Sequence, residues 1–65
     1  MQREFGKIVR DKRKSLKLSQ NNLSKLTGLN RNYISDVECG KRNISLNNAY
    51  KLFVALRLEI EVKNL

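Results

Sequence analysis

Histidine, proline and tryptophan are all absent from this 65-residue chain, and cysteine occurs once. Acidic residues are also scarce, 6 Asp and Glu against 14 Lys and Arg. Each shortage removes a class of function. Without histidine there is no His-based acid–base chemistry and no His-liganded metal. A single cysteine, Cys39, excludes an internal disulfide and a Cys-rich zinc knuckle. No apolar run approaches the ~20 residues of a membrane span. The N-terminal Met1-Gln2-Arg3-Glu4-Phe5 does not lead into the apolar core of a secretory signal, so the expected location is the cytoplasm. Six carboxylates without a paired site carry no catalytic constellation; an enzyme is not expected and no cofactor is implied.

What is present is positive charge, and it is unevenly placed. The net charge is +8 with a pI near 10.2. Residues 1–42 hold 11 basic and 4 acidic side chains, whereas residues 43–65 hold 3 and 2. A field concentrated in the first two-thirds suits an anionic partner, and nucleic acid is the usual one, through phosphate neutralisation and counterion release. A membrane surface calls instead for a basic amphipathic helix with Trp or Phe on its apolar side. A basic chain can also be merely soluble.

No linker, repeat or low-complexity tract divides the chain, so residues 1–65 are read as one domain. A chain of this size buries only about 60% of the surface its unfolded form exposes, which makes its core modest. Phe5, Val9 and Leu16, with Ile8 and the stem of Lys12, recur at three- and four-residue steps and predict a helix over roughly 2–16. Ser19 is the N-cap of a second helix with Leu23, Leu26 and Thr27 inward, stopped by Gly28. Asn30 caps a third, with Tyr33, Ile34 and Val37 as its apolar stripe and Gly40 at its end. Ser45 caps a fourth, lined by Leu46, Ala49, Leu52, Phe53 and Leu56. In the tail, 57–65, Leu58, Ile60 and Val62 alternate with charged residues, the pattern of a half-buried strand. Pairing with the same strand of a second subunit would satisfy it. A frayed terminus is the alternative.

The second and third helices, joined at Gly28-Leu29, have the form of a helix-turn-helix with its core at 19–38. The run Leu18-Ser19-Gln20, an apolar helix, a glycine turn, then Ile34-Ser35, Glu38 and Gly40-Lys41 resembles the signature of the Cro/phage-repressor (Xre) family. The resemblance extends without a gap from about Phe5 through Leu56. It implies an all-α, four-helix repressor-like fold, with a short C-terminal strand at a dimer interface as an added feature. It also implies a sequence-specific transcriptional regulator that binds double-stranded operator DNA as a dimer, third helix in the major groove.

Carried residue by residue, the base-reading positions are Asn30, Arg31, Asn32, Ser35 and Asp36. Arg31 has the geometry to grip guanine O6 and N7, Asn32 to grip adenine N6 and N7, and Asp36 to accept from cytosine N4 only. An ordinary solvated helix face is the alternative for Arg31 and Asn32, and pairing with a nearby lysine is the alternative for Asp36. Gln20 matches a position that contacts phosphate and braces the first reading residue. Lys41, Arg42 and Asn43 match a phosphate-contacting loop. Arg13 and Glu38 match a structural ion pair tying the first helix to the third. Leu58, Ile60 and Val62 are the expected dimer contacts.

Three positions depart from the family. Lys12 stands where an apolar residue is usual, and Lys17 and Arg57 stand where glycine is common at helix ends, so looser caps are expected. The tail looks like that of DNA-binding antitoxins, which would add a toxin protein as partner. The loop from Gly40 to Leu46 is typical of restriction–modification controller proteins. Fold and DNA binding are therefore the common ground of three biological settings.

Overall fold

The computed structural model describes residues 2–57, which form four helices: α1 (Gln2–Ser15), α2 (Gln20–Thr27), α3 (Arg31–Glu38) and α4 (Leu46–Leu56). No strand occurs among the described residues, and the tail residues Leu58, Ile60 and Val62 lie outside them. The helix starts follow from side-chain chemistry. Ser19 Oγ accepts from the Asn22 amide at 2.9 Å while Asn22 Oδ1 accepts from the Ser19 amide at 3.0 Å, a reciprocal capping box with Asn in place of the usual Glu or Gln. Asn30 Oδ1 accepts from the Asn32 amide at 2.7 Å, and Ser45 Oγ from the Asn48 amide at 3.2 Å. Each such cap contributes about 1 kcal/mol by satisfying a donor the helix cannot.

The helix ends are closed by left-handed residues. Past α3, Gly40 sits at φ 73°, its amide reaching Val37 O and the Lys41 amide reaching Asp36 O, the paired bonds of a Schellman turn. The same two bonds close α1, Lys17 to Lys14 O and Leu18 to Arg13 O, although Lys17 carries a side chain at φ 59°. Arg57 ends α4 in the left-handed region at φ 54°, its amide reaching Phe53 O and Val54 O. At Lys17 and Arg57 the caps are formed, and their cost is the steric one of a Cβ in the left-handed region rather than lost hydrogen bonds.

Val9, Leu23, Ile34, Val37, Leu52 and Leu56 are fully buried and draw on all four helices, with Leu29 and Ala49 beside them. Phe5 meets Phe53 edge to face, centroids 5.7 Å apart. Four expected core residues are exposed instead: Ile8, Leu16, Leu26 and Leu46. The inward stripe of α1 runs Phe5, Val9, Arg13 at four-residue steps, which turns Ile8 and Leu16 aside. On α2 the position four residues after Leu23 is Thr27, which takes the half-buried place and bonds the Leu23 carbonyl, leaving Leu26 outward. Leu46 is the first residue of α4 and is 86% exposed.

α1 crosses the end of α3 at very short range. A Cβ on Gly6 would lie 2.1 Å from the Val37 carbonyl oxygen and 2.9 Å from that of Glu38, so only glycine lets the two backbones meet. α1 packs chiefly on α3, α2 lies against α3 and α4, and the outer surface of α3 is left uncovered by the other three helices.

Candidate nucleic-acid interface

The outward face of α3 is held by a buried polar seam beneath it. Arg13 Nε donates to Glu38 Oε2 at 2.7 Å and Arg13 Nη2 to Oε1 at 2.9 Å, a two-pronged ion pair. The remaining arm, Nη1, donates to the Leu18 carbonyl at 2.8 Å. Both residues are buried, and no buried side-chain polar atom among the described residues lacks a partner. The hydrogen bonds that Arg13 donates to Glu38 outweigh the cost of burial and raise the Arg13 guanidinium pKa, so the guanidinium stays charged. Gln20 joins the seam, its amide donating to Glu38 Oε1 at 3.2 Å. The side chain expected at phosphate is thus turned partly inward, with its carbonyl oxygen and second amide hydrogen uncommitted. One glutamate thereby ties α1, α2 and the last turn of α3 together.

Above the seam, α3 sorts its residues by face. Ile34 and Val37 point into the core, Ser35 and Asp36 are half-buried on the flank, and Arg31 and Asn32 stand in solvent at the first turn. The side chains of Arg31, Asn32, Ser35 and Asp36 make no hydrogen bond or ion pair with the described residues, so no described lysine pairs with Asp36. Asn30 is exposed, but its Oδ1 is occupied by the cap to Asn32, leaving its amide hydrogens for a ligand. The α3 N-terminus adds free backbone N–H groups and the positive end of the helix dipole. The surface is therefore a set of uncommitted donors with one carboxylate on its flank.

The α3–α4 loop extends this surface. Lys41, Arg42 and Asn43 are all exposed. Arg42 lies over the ring of Tyr33, its guanidinium carbon 4.9 Å from the centroid, and the Tyr33 hydroxyl accepts from Asn48 Nδ2 at 3.1 Å. Tyr33 packs half-buried against the core, in keeping with its place in the apolar stripe of α3, and a cation lies over its ring. Gly6, by contrast, takes no part in the apolar pattern of the first helix. A glycine inside a helical pattern costs about 1 kcal/mol against alanine and is a signal of close packing. Nothing in the spacing of Tyr33, Arg42 and Asn48 announces their contact.

Among the described residues no group of three or more His, Cys, Asp and Glu could hold a metal ion, Cys39 is an exposed free thiol, and no helix is long and apolar enough to cross a membrane.

Comparison with known proteins gives the same reading. The helix-turn-helix family model matches residues 9–63. The chain is 45% identical over 56 residues to control protein C.BamHI of Bacillus amyloliquefaciens, spanning 85% of this chain and 69% of that one. It is 30% identical over 60 residues to the ImmF control region 10 kDa protein of Bacillus phage phi105, spanning 92% and 67%. The crystal structure of the restriction-modification controller protein C.AhdI from Aeromonas hydrophila superposes with a TM-score of 0.85 at 45% identity, over 89% of this chain and 88% of that one. An all-α fold, a free polar face on α3 and these relatives converge: the chain belongs to the Xre-type helix-turn-helix family of DNA-binding transcriptional regulators.

Proposed function

We propose that residues 1–65 act as a single cytoplasmic domain, not an enzyme, that controls a restriction–modification system by binding operator DNA, α3 in the major groove. The observation that carries this is the uncommitted pair Arg31 and Asn32 at the first turn of α3, held rigidly by the Arg13–Glu38–Gln20 seam. Arg31, Asn32, Ser35, Asp36 and the amide of Asn30 read base edges, with Asp36 selecting against wrong sequences rather than adding affinity. Lys41, Arg42, Asn43 and the free part of Gln20 meet phosphate. The restriction-modification controller protein C.AhdI, at 45% identity, favours the restriction–modification setting over an antitoxin.

The regulator works as a dimer, because one recognition helix makes too few contacts for specificity; its half-sites lie about 10–10.5 bp apart or a multiple of that. α4 supplies the contact surface. Leu46, Tyr50 and Val54 recur every fourth residue and are 86%, 68% and 60% exposed, with Leu26 of α2 alongside. Lys51 is the one charged residue of α4, whereas α1 carries charges along most of its length. Two copies of a +8 chain meet with less repulsion through α4 than through α1. Leu58, Ile60 and Val62 follow α4 in sequence and extend this apolar interface. A protein truncated after Leu56 that sedimented as a stable dimer would remove the tail from it.

Fluorescence anisotropy with the DNA upstream of its own gene and with a scrambled duplex, at two salt concentrations, tests the main reading. A preference for the upstream DNA that persists at the higher salt is expected. Equal, salt-sensitive binding to both duplexes overturns operator binding there. Arg31→Ala should lose about 1–3 kcal/mol on the operator and relax preference at one base pair, whereas Lys41→Ala should weaken all sequences alike.

A further inference from the structure

We propose that Tyr33 is a positioning residue for DNA binding, whose ring presents Arg42 to the phosphate backbone in a fixed orientation. Arg42 stands in the α3–α4 loop, where an exposed arginine ordinarily samples many rotamers and gives up that freedom on binding. Its guanidinium instead lies 4.9 Å from the centre of the Tyr33 ring. The guanidinium then lies over the ring, and its N–H groups make no other contact among the described residues and stay available to an anion. The ring is itself held: Asn48 Nδ2 donates to the Tyr33 hydroxyl at 3.1 Å, and the Asn48 backbone amide is fixed by the Ser45 cap. The first turn of α4, the third residue of α3 and the loop between them thus form one chain of contacts that ends on Arg42. Tyr33 is two residues past Arg31, so loop and recognition helix are set by the same ring.

The inference rests on the DNA-binding role of the loop, and its test separates the two. The salt dependence of binding to a random-sequence duplex is measured for wild type, Arg42→Ala, Tyr33→Leu and the double variant. A phosphate contact contributes about 0.9 to the magnitude of the slope of log K against log salt. Arg42→Ala should lower the slope by that amount, Tyr33→Leu should lower it by most of the same amount, and the double variant should lose no more than Arg42→Ala. Tyr33→Phe keeps the ring and should keep the slope. An unchanged slope in Arg42→Ala overturns the phosphate role of the loop arginine, and the positioning role falls with it. A reduced slope in Arg42→Ala with an unchanged slope in Tyr33→Leu, or losses that add in the double variant, overturns the positioning role alone. If Tyr33→Leu fails to fold, proton NMR of the wild type decides: the Arg42 δ-methylene should be shifted upfield by the ring current, and random-coil positions would overturn the stacking on which the proposal stands.

Discussion

At the seam between α1 and α3 an arginine and a glutamate are buried, while on the outer face of α4 a leucine, a tyrosine and a valine stand in solvent. The two regions reverse the ordinary sorting of side chains, for different reasons. The seam is polar but complete: each prong of Arg13 has an acceptor and each oxygen of Glu38 a donor. Burial then costs little that is not returned, and the result is a fixed geometry between helices. The α4 ridge is apolar and incomplete, since nothing in the described chain covers Leu46, Tyr50 or Val54. Satisfied polarity inside serves the fold, and the uncovered apolar surface outside is the one proposed above for association.

Substitutions can test this contrast. The largest expected effect is at the seam. Glu38→Ala leaves Arg13 buried without its partner and should cost about 3–5 kcal/mol, enough to unfold a domain of this size, as read by urea denaturation. A small loss there would mean that water takes the place of the carboxylate. Gly6→Ala forces the backbones of α1 and α3 apart and should cost about 1–3 kcal/mol by the same measurement, despite the better helix propensity of alanine. Lys17→Gly relieves a left-handed side chain and should raise stability by up to about 1 kcal/mol, seen as a higher urea midpoint. On the ridge, Val54→Glu should change the stability of the dilute monomer by no more than about 0.5 kcal/mol yet abolish dimers in sedimentation. A dimer that survived it would put the association surface elsewhere than α4.

Much of the helical layout was legible because its signals are local. Ser19, Asn30 and Ser45 cap helices through bonds that span two or three residues, and Gly28 and Gly40 end helices through their own φ. Such bonds need no distant partner, so the pattern of Ser, Asn and Gly states them. The core was legible where one helix has one inward stripe, as for Ile34 and Val37. It was not legible at Leu26, Leu46, Ile8 and Leu16, because an apolar side chain does not say which neighbouring element will receive it. Which residues of α3 face outward was legible too, because the Asn30 cap sets the register of the helix.

The sequence by itself determined where the helices begin and end, and that the first two-thirds of the chain carry the positive field, because capping, periodicity and charge are properties of neighbouring residues. Only the tertiary structure decided that Gly6 is the point where α1 and α3 touch, that Gln20 leans on Glu38, and that Arg42 rests on Tyr33. These contacts join residues separated by many positions along the chain, and their existence depends on how the helices cross. No local pattern encodes a crossing angle; it is set when the core closes, and the seam, the stacked arginine and the bare α4 ridge follow from it.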